Sequence, residues 1–79
     1  MDTEQQITEA VMAQVRAEAA AAGISIYNLA QRCDISRSSL DLYLKGQRQM
    51  PLDVLYKIGA VLQVEPVTIL ARAQERAKA

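Results

Sequence analysis

The sequence predicts an all-α domain of five helices, in which the second and third form a helix-turn-helix. Three observations predict it. Apolar residues recur three and four apart along the chain, and no alternating run calls for a strand. Serine, glycine and proline punctuate that pattern where helices start and stop, at Gly23, Ser25, Ser36, Gly46, Pro51 and Pro66. The window 26–45, IYNLAQRCDISRSSLDLYLK, holds two short apolar-faced helices joined by a tight turn.

Within that window Leu29 and Cys33 lie four apart and share a face of the first helix, and Leu40 and Tyr43 lie three apart on the next. Ala30 is small where two backbones approach, and Ile35 in the turn plugs the gap between the helices. The outward residues of the later helix are then Arg37, Ser38, Asp41, Leu42 and Lys45. This spacing is how a protein presents one helix to the DNA major groove.

Helix 1 is expected from Thr3, whose spacing to Gln6 makes a capping box. Asp2, Glu4 and Glu9 suit the positive end of its dipole. Ile7, Val11, Val15, Ala19 and Ala22 follow at helical spacing, and Gly23 is a left-handed stop. Ser25 is expected to cap helix 2, about 26–33, and Ser36 to cap helix 3, about 37–45, with Asp34 in the turn between them. Gly46 ends helix 3, and a polar loop of Gln47, Arg48, Gln49 and Met50 follows. Pro51 suits the first turn of helix 4, whose expected inward stripe is Leu52, Leu55, Ile58 and Leu62. Val54 and Val61 lie off that stripe; they either complete the core or join Ile69, Ile7 and Met12 in a subunit contact. Val64-Glu65-Pro66 breaks the chain, and helix 5 follows with Val67, Ile69 and Leu70 as buried candidates. From Ala71 the sequence ARAQERAKA places only alanines between polar residues and is expected to fray. One domain is therefore expected over 1–79, with its core at about 10–71 and a polar C-terminal tail at 72–79.

A chain of 79 residues makes one small domain and buries only ~60–65% of its unfolded surface. Its 51% apolar content rests on thirteen alanines, which favour helix and close helix contacts but bury little area each. The lone cysteine excludes an internal disulfide framework, and Cys33 is expected to pack in the core as a small hydrophobe. Apolar runs fall far short of the ~20 residues that span a membrane, and no signal peptide is recognisable. A cytoplasmic location, in a bacterial cell or phage-infected host, is the expectation. With no histidine, metal-ligand cluster, glycine-rich phosphate loop or nucleophile–base pair, neither catalysis, a cofactor nor a small-molecule substrate is expected.

The net charge is zero, which weighs against nucleic acid, but its distribution is uneven. Between Ile24 and Lys57 five basic residues stand against three acidic ones, leaving the helix-turn-helix region at +2 and the remainder at −2. DNA affinity built on so few cations should be modest per monomer and sensitive to salt.

The residues Gly23-Ile24-Ser25, Leu29-Ala30, Ile35-Ser36, Leu40, Leu44-Lys45-Gly46, Pro51, Leu55, Ile58, Leu62 and Val64 keep a distinctive set of offsets. Over about 10–71 the chain resembles the Cro and repressor DNA-binding family of lambdoid phages and related bacterial regulators. The resemblance implies a five-helix lambda-repressor-like domain. Three departures stand out. Asp34 holds a turn position that usually carries glycine. Ala19 and Leu44 stand where many relatives pair an arginine with a glutamate, which leaves an apolar contact and no orphan charge. Gln63 replaces a glycine that commonly ends helix 4, leaving Pro66 to break the chain.

In this family the N-terminal end of the recognition helix, here Ser36, Arg37 and Ser38, penetrates the groove deepest. The expected base contacts are Arg37, Ser38 and Leu42. Arg37 can donate twice to guanine O6 and N7, worth ~1–3 kcal/mol of discrimination. Ser38 reaches either a base or a phosphate, and Leu42 suits a thymine methyl. Asp41 lies four residues from both Arg37 and Lys45 and is expected to hold the two cations, the alternative being to accept from cytosine N4. The expected backbone contacts are Ser25, Tyr27, Ser36, Lys45, Gln47, Arg48 and Gln49. Tyr27 either offers its hydroxyl to a phosphate or simply packs, half-exposed. Residues 3–9 are not a basic arm and are not expected to enter a groove.

The leading expectation is a sequence-specific transcription regulator of the Cro or repressor type. It would bind double-stranded DNA as a homodimer on an inverted-repeat operator, with half-sites ~34 Å apart. The alternative is a protein-interaction module on the same fold, such as an antitoxin or adaptor. Neutral charge favours that alternative, while Arg37, Lys45 and Arg48 on one side oppose it.

Overall fold

Residues 3–78 are described by a computed structural model and form α1 (Glu4–Ala21), α2 (Ile26–Arg32), α3 (Arg37–Leu44), α4 (Leu52–Leu62) and α5 (Pro66–Lys78). Asp2, expected near the start of α1, lies outside the described residues. The capping box is formed: Thr3 Oγ1 accepts from the Gln6 N–H, and Gln6 Oε1 accepts from the Thr3 N–H at 2.8 Å. Ser25 and Ser36 cap α2 and α3 in the expected way, by accepting from the N–H groups of Asn28 and Ser39. Pro51 is the N-cap of α4 rather than part of its first turn.

Helices α1 to α4 all close alike. A residue with left-handed backbone follows each helix, namely Gly23, Asp34, Gly46 and Gln63, with φ of 70°, 57°, 75° and 57°. The next N–H in each case reaches back five residues, as Ile24 to Ala19, Ile35 to Ala30, Gln47 to Leu42 and Val64 to Gly59, at 2.9–3.1 Å. Gln63 thus ends α4 itself, where Pro66 was expected to do so. The chain turns by 99° between α4 and α5. Gly59 makes that turn possible, because a Cβ there would lie 2.7 Å from the Val64 carbonyl oxygen and 3.2 Å from the Pro66 ring.

Val15, Leu29, Leu40, Ile58 and Ile69, one from each helix, are the largest fully buried side chains and belong to one core. Cys33 lies in that core, where burial pushes its thiol pKa up. Val54 is buried and Val61 packs against the core, as do Met12, Ile69 and Ile7, so these residues complete the monomer.

Three expectations need correction. Leu52 is 67% exposed, because the inward face of α4 is Val54, Leu55, Ile58, Gly59 and Leu62, and Leu52 falls at its edge in the first turn. On α5 the buried pair is Ile69 and Ala73, four apart; Val67 and Leu70 share a different face and are 65% and 39% exposed.

The third concerns the tail, which does not fray as far as Lys78. α1 packs more extensively on α5 than on any other helix. Ala73 is fully buried and Ala77 half-buried, and small side chains allow the helices to approach closely. A polar seam runs beside them. The buried Glu18 carboxylate accepts from Arg72 Nη1 at 2.6 Å and Gln14 Nε2 at 2.7 Å, and Gln14 Oε1 accepts from Arg76 Nε at 3.1 Å. These donors, Arg72 foremost and then Gln14, hold the Glu18 pKa below its ordinary value despite burial.

Glu18 therefore contributes stability that is fully present above its unfolded pKa of ~4.3 and is lost as pH falls through its lower folded value. Thermal melts below pH ~4.5 should decline more steeply for wild type than for Glu18→Gln; equal slopes would remove this role from Glu18. Gly59→Ala should lower stability by about 1–3 kcal/mol, because the atom it meets is backbone and cannot move aside. Chemical denaturation measures this, and an unchanged midpoint would refute the close approach.

Candidate nucleic-acid interface

Leu29 and Ala30 anchor α2, and Leu40 and Leu44 anchor α3, leaving the opposite side of each helix outside the core. The link between them is short and tied. Asp34 turns left-handed, the Asp34 N–H donates to the Gln31 carbonyl, the Ile35 N–H to that of Ala30, and Ile35 packs half-buried over the core. Aspartate tolerates this conformation better than most residues, which is why the turn forms without glycine.

The N-terminal end of α3 is exposed. Ser36 Oγ accepts from the Ser39 N–H at 3.0 Å, donates to Ser39 Oγ at 2.8 Å and lies 3.4 Å from Ser38 Oγ. Its hydroxyl is committed to the cap, while Ser38 and Arg37 stand free of the core. Farther along α3, Leu42 is half-buried. Lys45, Gln47, Arg48 and Gln49 are exposed, and the N–H groups of Gln47 and Arg48 both donate to the Leu42 carbonyl, folding the loop onto the end of α3. At the start of α2, Ser25 and Tyr27 are exposed. The expected site residues thus lie on α2, α3 and the loop after α3, outside the core except where Leu42 is partly covered.

Asp41 does not hold two cations. It pairs with Lys45 at 2.8 Å, whereas the Arg37 guanidinium sits over the Tyr27 ring, 5.8 Å from its centroid. Helix geometry accounts for the division. Side chains lean toward the helix N-terminus, so Lys45 leans back onto Asp41 while Arg37 leans away from it toward α2.

Arg16 was not among the expected site residues. From α1 its Nη1 donates to the Leu44 carbonyl oxygen at 2.6 Å, tying the last turn of α3 to the first helix. Ala19 and Leu44 are both buried in the core, consistent with the apolar contact expected there. The tie thus survives one helical turn earlier, to a backbone carbonyl rather than a carboxylate. A solvent-facing arginine in a helix gives no sequence signal for such a bond across 28 residues.

Against known protein families, residues 14–75 match the model of the Cro/C1-type HTH DNA-binding domain. The chain belongs to this family. It therefore carries a DNA-binding domain whose helix-turn-helix is α2 and α3. The match covers most of the region that carried the resemblance. The structure is also similar to the crystal structure of the clp gene regulator ClgR from Corynebacterium glutamicum, with a TM-score of 0.85. The two share 21% identity over 91% of this chain and 77% of that one, a likeness of fold. No curated protein matches the sequence.

Arg16→Ala should cost about 1–2 kcal/mol, with faster hydrogen exchange at the Gly46 and Gln47 amides that close α3. Unchanged exchange at those amides would show that the Arg16 bond does not support the end of the helix.

Proposed function

We propose that the protein is a sequence-specific transcription regulator that lays α3 in the major groove of operator DNA, as a homodimer on an inverted repeat, in the manner of a phage Cro or repressor. The observation that carries this reading is the exposed N-terminal end of α3, where Arg37 is held over Tyr27 instead of being neutralised by Asp41. Arg37 reads guanine, Ser38 reaches a neighbouring base or phosphate, and the uncovered part of Leu42 meets a thymine methyl. Ser25, Tyr27, Lys45, Gln47, Arg48 and Gln49 fix the register on the phosphates, and Ser36 joins them by turning its hydroxyl proton from Ser39 Oγ to a phosphate oxygen. Lys45 is half neutralised by Asp41 and the whole chain has no net charge, so one copy binds weakly. Two copies on two half-sites supply the remaining affinity.

Selection of bound sequences from random duplexes, for wild type and Arg37→Ala at two salt concentrations, tests this reading. An inverted repeat should emerge, and its guanine preference should weaken about tenfold in Arg37→Ala. Recovery of no motif, with binding that vanishes at moderate salt, would move the assignment to a protein-interaction module on the same fold.

A further inference from the structure

We infer that Tyr27 is a positioning residue for base readout: its aromatic face holds the Arg37 guanidinium in the orientation that meets guanine. This inference rests on the reading of Arg37 as a base contact. The two residues come from different helices, Tyr27 from the first turn of α2 and Arg37 from the first position of α3. Buried Leu29, Ala30 and Leu40 and the tied turn at Asp34 and Ile35 hold the two helices, and so the backbones of both residues, at a set separation. Tyr27 is 52% exposed and is not among the residues packed against the core, so filling the interior is not its role. The guanidinium carbon lies 5.8 Å from the ring centroid, within the ~6 Å over which a cation is drawn to an aromatic face.

The chemistry of this contact differs from that of an ion pair. A bidentate carboxylate would take two of the five guanidinium N–H donors and neutralise the charge. A ring face attracts the charge and leaves the donors at the guanidinium edge free. The carboxylate one turn along α3 that could have competed, Asp41, is engaged by Lys45 at 2.8 Å. The arrangement therefore limits the motion of a long, flexible side chain without consuming its hydrogen-bonding capacity. Limiting that motion before binding raises affinity for the sequence that uses the held orientation.

For this role the ring is required and the hydroxyl is not, which separates it from the phosphate contact that the hydroxyl makes. The experiment compares wild type, Tyr27→Phe, Tyr27→Leu, Arg37→Ala and the double variant Tyr27→Leu/Arg37→Ala. Each is titrated with the duplex recovered by selection and with the same duplex bearing adenine in place of the contacted guanine. Side-chain proton shifts of Arg37 are measured by NMR in the free proteins. In Tyr27→Leu the guanine preference should fall about two- to fivefold, in Tyr27→Phe it should persist, and the double variant should discriminate no worse than Arg37→Ala alone. The free wild type and Tyr27→Phe should show ring-current shifts on the Arg37 side chain that Tyr27→Leu lacks. Retained preference in Tyr27→Leu, alongside its loss in Arg37→Ala, would overturn the positioning role and leave the base contact standing. Retained preference in Arg37→Ala would overturn the base contact and this inference with it. Absence of ring-current shifts in wild type would overturn the contact without reference to DNA. An equal loss of affinity for both duplexes in Tyr27→Phe and Tyr27→Leu would overturn the positioning role and leave Tyr27 only the phosphate contact of its hydroxyl.

Discussion

The structure depends on a core to which every helix contributes a large, fully buried side chain: Val15, Leu29, Leu40, Ile58 and Ile69. The helices bearing Leu29 and Leu40 are too short to be stable alone. Their burial against the longer helices makes α2 and α3 rigid, and the exposed side of α3 takes its orientation from that packing. Arg37, Ser38 and Lys45 can act as one surface because they stand on a helix whose opposite side is closed to water. The Arg16 bond to the Leu44 carbonyl extends that support to the end of α3 where the Lys45 and Arg48 loop begins.

A second constraint is economy of connection. Four helices end in the same closure, with a left-handed residue and an N–H that reaches back five positions. Glycine fills that position twice, and Asp34 and Gln63 fill it at a backbone cost that ordinary side chains carry there. The shared closure explains how a chain of 79 residues fits five helices with short connections. At the tightest, between α4 and α5, glycine is needed inside the helix at Gly59, because a Cβ there would meet the Val64 carbonyl oxygen at 2.7 Å.

Alanine-rich helices bury little apolar area, and small domains have little to spare. The α1–α5 contact meets this with the small, fully buried Ala73 and with a seam in which Glu18, Gln14, Arg72 and Arg76 satisfy one another. Among the described residues no buried side-chain polar atom lacks a partner, so the seam adds no desolvation cost of an orphaned group.

The sequence by itself determined the features whose physics is local. Caps at Thr3, Ser25 and Ser36, the stops at Gly23 and Gly46, and the small Ala30 with Ile35 in the turn involve bonds or contacts within a few residues, so spacing reveals them. The two helices of the DNA-binding motif, and the outward placement of Arg37, Ser38 and Lys45, were legible for the same reason, whereas Asp41 and Leu42 are partly covered. Only the tertiary structure decided the rest. Leu52, Val67 and Leu70 look like core by composition, yet their exposure depends on where the other helices end. The tail after Ala71 looks too polar to hold, yet it is docked by partners 54 and 62 residues away. Arg37 had an acidic neighbour at helical spacing, but the lean of its side chain and the placement of α2 gave it the Tyr27 ring instead. Periodicity along one helix says which face is apolar; it carries no information about what stands opposite, and contacts between helices are settled there.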